Sequence, residues 1–332
     1  MNDKLVIVTD YTWPSIEPEA TVLQKAGANL VEAGTGEEEE LIRLVSEADG
    51  ILTCFRNITS SVIEAGKKLK VIGRYGIGVD NIDIEAATRL GIPVTNVPAY
   101  CLDEVAEHAM AFLLACGRSI CRYDSSIRKG NWDLASGRPI YRIRGRTLGI
   151  LGFGKIGQSL AEKAIGFGLK IIAHDAFIND ETIRKGGVEP VSLDEIVSRS
   201  DFLSIHTPLN RDTRHLINEV RLRKMKPGSF VLNAARGGII DLEALAVALK
   251  EGWIGGAAID VFEPEHLPDD HPLLDAPNLI ATPHVAFYSE ESVLDLQRLA
   301  AENVAAILSN RRPESVVNPE VLELPRWTNL QV

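Results

Sequence analysis

Short apolar runs alternate with stretches of helical periodicity along nearly the whole chain. Before residue 100 the runs are 5–9, 50–54, 70–73 and 92–95. The later ones are 147–151, 169–173, 202–206, 229–233, 257–261 and 279–282. Runs this short and this apolar are expected of strands buried on both faces. Their alternation with helices predicts parallel sheets with helices on each side. Two helical stretches stand apart: 105–118 is strongly apolar and follows Pro98, Asp103 and Glu104, and 289–308 is too long to cap a second unit alone. If both cross between units, the chain leaves a first domain near residue 100 and returns near 288. The predicted organisation is a discontinuous domain, 1–100 with 288–332, around an inserted domain, 101–287.

Composition narrows the class of protein. The 332 residues carry 35 basic and 46 acidic side chains, a formal charge of −11, which argues against general binding to nucleic acid or anionic membranes. No apolar stretch reaches the roughly 18 residues that would suggest a membrane span, and the N-terminal MNDKLVIVTD reads as a short strand, not a signal peptide. Cys54, Cys101, Cys116 and Cys121 show neither CxxC nor Cys/His zinc spacing. Free thiols in a reducing cytoplasm, and no metal, are expected. The acidic run Glu37–Glu40 reads as the solvated start of a helix.

The segment Gly152-Phe153-Gly154-Lys155-Ile156-Gly157 adds chemistry. It follows the apolar run 147–151 and opens a helical pattern carried by Ile156, Leu160, Ala161, Ala164 and Ile165. A further run then ends at Asp175, 23 residues after Gly152. Strand, glycine turn, helix, strand and acid in this order form a dinucleotide site. Gly152 permits the tight turn, Gly154 leaves room for a pyrophosphate, and Gly157 lets the helix approach the sheet. The phosphates meet the free N–H groups at the helix start. Asp175 is placed to accept hydrogen bonds from the adenosine ribose and to repel a 2′-phosphate, which favours NAD over NADP.

Further motifs sit at strand ends, where open α/β sheets bind ligands. After Phe230-Val231-Leu232 comes Asn233-Ala234-Ala235-Arg236-Gly237-Gly238, whose guanidinium suits bidentate binding of a carboxylate. After 255–259 comes Asp260-Val261-Phe262-Glu263-Pro264-Glu265. By chemistry alone any of Asp260, Glu263 and Glu265 is able to orient a base, with Glu263 the best candidate for a merely solvated carboxylate. After 279–281 comes Thr282-Pro283-His284, a histidine able to exchange a proton near neutral pH. Thr207 and Pro208, behind His206 at another strand end, are placed to touch the cofactor. His108, His206, His215, His266 and His271 are taken as structural or surface residues.

Together these motifs, with GRYGIGVDNIDIEAATRLGIPVTNVP in the first half and AFYSEES after His284, resemble the D-isomer-specific 2-hydroxyacid dehydrogenases over nearly the whole chain. The phosphoglycerate-dehydrogenase-like and co-repressor-like branches are the nearest in pattern. The resemblance implies an α/β fold of two doubly wound parallel-sheet domains, a Rossmann cofactor domain inserted into a flavodoxin-like substrate domain. It implies NAD as cofactor, a small 2-keto or D-2-hydroxy acid as substrate, and a homodimer through the cofactor domain with 124–133 in its arm. Carried over by position, Arg236 holds the substrate carboxylate, Glu265 pairs with the catalytic His284, and Asp260 lies near the nicotinamide carboxamide. The amides of Ile77 and Gly78 grip the substrate carboxylate. Lys155 and Ile156 match positions at the pyrophosphate, and Ala234 joins Thr207 and Pro208 along the cofactor. Phe287 stands where co-repressors carry a tryptophan, and the resemblance implies that its ring walls the pocket for the substrate side group. The resemblance also admits a second class, an NAD(H)-sensing co-repressor-like scaffold. Neither the disordered flanks of such a scaffold nor an appended regulatory module is expected from the sequence.

Overall fold

The apolar runs become parallel strands in a computed structural model that describes residues 4–331. Residues 1–3 and 332 of the expected discontinuous domain lie outside the described residues. The chain divides into two units, Met1–Tyr100 with Ser289–Val332, and Cys101–Tyr288.

The first unit holds strands β1 (Lys4–Val8), β2 (Ala28–Glu32), β3 (Gly50–Thr53), β4 (Val71–Arg74) and β5 (Val94–Thr95). They pair in the order β2-β1-β3-β4-β5, all parallel, which is the flavodoxin-like order. β3 and β4 are buried at every position. β2 is an edge strand with only Ala28 buried, so its sequence shows no apolar run and the hydrophobic pattern passes over it. The long helix Glu290–Leu308 packs on this sheet because two strand glycines make room for Val304. A Cβ on Gly73 would lie 2.6 Å from Val304 Cγ2, and one on Gly50 3.3 Å from Val304 Cγ1. The tail is tied down by Asn318, which is buried: Oδ1 accepts from the Val94 amide at 2.8 Å, and Nδ2 donates to the Ile92 carbonyl and the Thr88 hydroxyl, each at 3.0 Å.

The helix expected at Glu37–Glu40 forms as Glu38–Val45, but its acids are not simply solvated. Glu40 accepts from the amides of Gly34, Thr35 and Gly36 and from the Thr35 hydroxyl, a set led by that hydroxyl that holds its carboxyl down at about 2. Glu37 pairs with Arg56 at 2.8 Å, and Glu38 accepts from Thr59. These bonds link the loop before the helix to the loop after β3, contacts that composition does not reveal.

The second unit holds β6 (Thr147–Leu151), β7 (Lys170–His174), β8 (Glu189–Pro190), β9 (Phe202–Ile205), β10 (Phe230–Asn233), β11 (Gly256–Ile259) and β12 (Leu279–Ala281). Their order is β12-β11-β10-β9-β6-β7-β8, again parallel throughout. β8 is two residues long, too short to leave a pattern. Alternation along the strands builds two cores. Leu151, Leu203, Ile205, Val231 and Ile259 face one core, shared with Leu245 and Leu249 of helix Leu242–Lys250. Leu148, Ile150, Phe202, Leu232 and Ala258 face the other, shared with Ala109 and Leu113 of helix Leu102–Gly117 and Leu160 of helix Lys155–Ile165.

The seat of Val304 makes Gly73 a critical position. Gly73→Val should lower the unfolding free energy by about 1–3 kcal/mol, the usual cost of overpacking a filled core. Urea denaturation of the two proteins side by side measures the difference, and an unchanged midpoint would refute this packing.

Candidate active site

Parallel strands send all their carboxyl ends to one edge, so the sheet order sets the layout of the second unit's site. Next to β6 lie β7 and β9, and their ends carry the glycine turn, Asp175 and Thr207. Farther along, β10, β11 and β12 end in the Arg236, Asp260–Glu265 and His284 loops. The nucleotide and reactive halves are thus neighbours on one edge.

Each glycine of the turn has its own reason. Gly152 has φ +96°, and a Cβ there would meet the His206 carbonyl at 2.7 Å. A Cβ on Gly157 would lie 2.4 Å from the Gly152 carbonyl, so the helix approaches the turn only because that atom is missing. A Cβ on Gly154 would meet nothing within 4 Å, which leaves open space at the start of helix Lys155–Ile165. No side chain caps this helix, and the amides of Lys155 and Ile156 belong to its first turn, where N–H groups lack helical partners. The buried Thr207 hydroxyl has no hydrogen-bond partner in the protein. Open space, uncapped amides and an unpartnered hydroxyl together suit a dinucleotide. Asp175 takes part in the turn itself: its carboxylate accepts from the amides of Phe153 at 2.7 Å, Phe177 at 2.8 Å and Ile178 at 3.0 Å. Asp175 is therefore fixed by three backbone amides of the turn and of the loop that follows it. Pro208, by contrast, is exposed, and Ala234 is half-buried.

The reactive half is drawn together by backbone contact. A Cβ on Gly237 would lie 2.1 Å from the Phe262 carbonyl carbon, and one on Gly238 2.7 Å from Glu263 Oε2. The two glycines after Arg236 thus let its loop close against the loop after β11. Asn233, wholly buried, brackets the same loop: Nδ2 donates to the Arg236 carbonyl at 2.9 Å, and Oδ1 accepts from the Ala235 amide at 3.0 Å.

The three acids after β11 separate into three roles. Glu265 is the one that meets His284, through Oε1 and Nδ1. Glu263, expected to be solvated, is held by Arg214 in a two-point pair at 2.6 and 3.0 Å. Asp260 is fully buried and accepts from the Val285 and Ala286 amides at 2.9 and 2.8 Å. His284 itself sits in the left-handed region at φ +55°, a conformation that costs about 1–3 kcal/mol and persists only where neighbours hold it. Phe287 stands edge-on to the His284 ring, with centroids 6.2 Å apart.

Ile77 and Gly78 lie in the first unit, beyond β4. Their loop is fastened by Asn96, which donates to the Ile77 carbonyl at 2.7 Å, and by the Val97 amide on the Gly76 carbonyl at 2.9 Å. Asn233, Arg214 and Thr282 were not singled out by sequence reasoning, although Asn233 and Thr282 stand inside the quoted motifs. The partner of His108 is 174 residues away, so no local pattern announces it.

The model for the D-isomer specific 2-hydroxyacid dehydrogenase NAD binding domain matches residues 110–286. The chain belongs to this family. It is an NAD-dependent oxidoreductase of 2-keto and 2-hydroxy acids. It is 39% identical to a glyoxylate reductase of Korarchaeum cryptofilum, covering 86% of this chain and 87% of that protein. A D-3-phosphoglycerate dehydrogenase of Methanocaldococcus jannaschii is 42% identical over 94% of this chain, which spans only 59% of that relative. The crystal structure of Aquifex aeolicus D-lactate dehydrogenase complexed with NAD and lactic acid superposes with a TM-score of 0.84 at 27% identity, covering 96% and 98% of the two chains. Two doubly wound domains are thus the fold of the family as well as of this chain.

Gly157→Val should weaken NADH binding by about tenfold or more, since a displaced turn costs upwards of 1.4 kcal/mol. Gly166→Ala, where a Cβ would approach nothing nearer than 3.7 Å, should leave it unchanged in the same fluorescence titration.

Burial holds the His206 imidazole down at about 4. The unfolded chain, at about 6.5, therefore takes up the proton first, and His206 contributes stability above that pH that is lost as pH falls towards 4. In His206→Gln the loss of stability between pH 7 and pH 4.5 should be smaller than in the parent, as read by urea unfolding at each pH.

Proposed function

We propose that this chain reduces a small 2-keto acid to its D-2-hydroxy acid with NADH, and runs the reverse with NAD, using His284 as the general acid and base. The His284–Glu265 pair on the same sheet edge as the dinucleotide turn carries this reading. Bound NADH supplies a hydride to the carbonyl carbon. Protonated His284 gives a proton from Nε2 to the carbonyl oxygen, completing the alcohol. Glu265, on Nδ1, orients the ring and stabilises its positive charge, while Arg236 offers a fork for the carboxylate and charge for the developing oxyanion. The amides of Ile77 and Gly78 are assigned the other contacts to the carboxylate. Lys155, Ile156, Thr207, Pro208, Ala234 and Asp260 are assigned to the cofactor, and Asp175 to the adenosine ribose, with preference for NAD.

Glyoxylate is the first substrate to test, because the glyoxylate reductases are matched over most of their length. The phosphoglycerate dehydrogenases, matched over 59% of theirs, are the second lead. Relatives that are named reductases and dehydrogenases support an enzyme over a co-repressor-like scaffold. We further assign a homodimer through the second unit. Ile120, Ile127, Trp132, Leu134 and Tyr141 are all exposed within 22 residues of one another, an apolar surface that association would cover. No helix among the described residues is long and apolar enough to cross a membrane. Free cysteines, three of them buried, fit the assignment to a reducing cytoplasm.

A panel of 2-keto acids assayed with NADH and NADPH in parallel tests the whole reading. Turnover should appear with glyoxylate or a close analogue and favour NADH, and silence across the panel despite NADH binding would defeat it. His284→Ala should lower kcat by about 10²–10⁴-fold with NADH affinity little changed. Arg236→Lys should also lose most turnover, because an ammonium does not reproduce the guanidinium fork.

A further inference from the structure

The buried Asp260 carboxylate is the end of a hydrogen-bond chain that begins on another element. The Thr282 hydroxyl lies 2.5 Å from Asp260 Oδ1 and 3.1 Å from Nε2 of His108, on helix Leu102–Gly117. A threonine hydroxyl has one proton, and here it goes to the carboxylate, which has none to return. His108 must then donate from Nε2 to the hydroxyl oxygen, so its ring is the Nε2–H tautomer. Burial keeps the ring below the usual imidazole range, more than Asp260 at 3.8 Å raises it, in keeping with a neutral donor. Phe112, one turn further along the helix, holds the ring edge-on at 4.4 Å.

What the chain controls is the loop that presents His284. With its hydrogen bond from Thr282, the Asp260 carboxylate grips the loop before His284; with those from the Val285 and Ala286 amides, it grips the loop after it. The Asp260 carbonyl accepts from the His284 amide at 2.7 Å. Residues on both sides of the histidine are therefore anchored to one side chain, and its left-handed backbone depends on that anchor. Thr282 is the only one of these contacts made through a rotatable group, and His108 is what stops it rotating.

We propose that His108 and Thr282 are positioning residues for the proton transfer, holding the Asp260 anchor and through it the left-handed loop that aims His284. This rests on the assignment of His284 as the general acid and base. Loss of the chain loosens a geometry that matters most in the transition state, so it acts on kcat and spares binding.

The test is steady-state reduction of the best keto acid, with kcat expressed per folded enzyme by titration of NADH sites. His108→Leu and Thr282→Val should each lower kcat about tenfold, one hydrogen bond's worth, with KM for NADH within about twofold of the parent. His108→Gln, which places an amide N–H near the Nε2 position, and Thr282→Ser should recover most of the loss. The double variant His108→Leu with Thr282→Val should be no slower than Thr282→Val alone, because both break one chain. Near-parental kcat in His108→Leu, or losses that multiply in the double variant, would overturn the proposal. His284→Ala separates the two claims. If it turns over normally the acid–base assignment itself falls, whereas an inactive His284→Ala beside a fully active His108→Leu removes only the positioning role.

Discussion

A carboxylate wholly removed from water must be met by donors, and the loop around His284 is built on one such group. Asp260 satisfies its requirement with the Thr282 hydroxyl and two backbone amides, all drawn from the short stretch around His284. Leaving any of them unmade would leave a buried acceptor short of a donor, so the loop has little freedom to depart from this shape. The same constraint bears on the left-handed backbone of His284, a non-glycine residue at φ +55°. The donors to Asp260 flank His284 on both sides.

The other half of the site is governed by missing side chains. Gly152, Gly157, Gly237 and Gly238 each occupy places where a Cβ would collide with backbone or with a fixed side chain. Their effect is to close loops onto one another: the turn after β6 onto the end of β9, and the loop after β10 onto the loop after β11. Gly154 works in the opposite sense, leaving a volume unfilled for a ligand. In the first unit Gly50 and Gly73 do a structural version of the same thing, opening a seat for Val304 of the long C-terminal helix. Small residues in this protein thus set both the distances between motifs and the docking of a helix.

Much of this was legible in the chain. The run at 147–151 became a strand with the expected bounds, because a strand buried on both faces is apolar, and the run at 279–282 became β12, an edge strand that is only partly buried. The glycine turn, Arg236 and His284 stand out because each follows such a run closely, where a parallel sheet puts its ligands, whereas Glu265 was set apart from Asp260 and Glu263 only by the family resemblance. β2 and β8 were not legible, since an exposed edge strand and a two-residue strand leave no apolar signal. Glu37, Glu38, Glu39 and Glu263 are exposed as the solvated reading expects, but Arg56, Thr59 and Arg214, the partners of Glu37, Glu38 and Glu263, lie on other loops and were not legible.

By itself, then, the order of residues determined the fold class and the cofactor turn, both of which follow from local spacing. Spacing and chemistry left open which of Asp260, Glu263 and Glu265 would meet the histidine, and only the family resemblance pointed to Glu265. That choice belongs to tertiary structure, because it depends on which carboxylate is buried, which meets an arginine and which reaches an imidazole. The link from His108 to Thr282 is of the same kind: two polar groups 174 positions apart meet only when a helix packs on a sheet. Hydrophobic periodicity is written along the chain, whereas the pairing of polar groups is decided by where packing brings them.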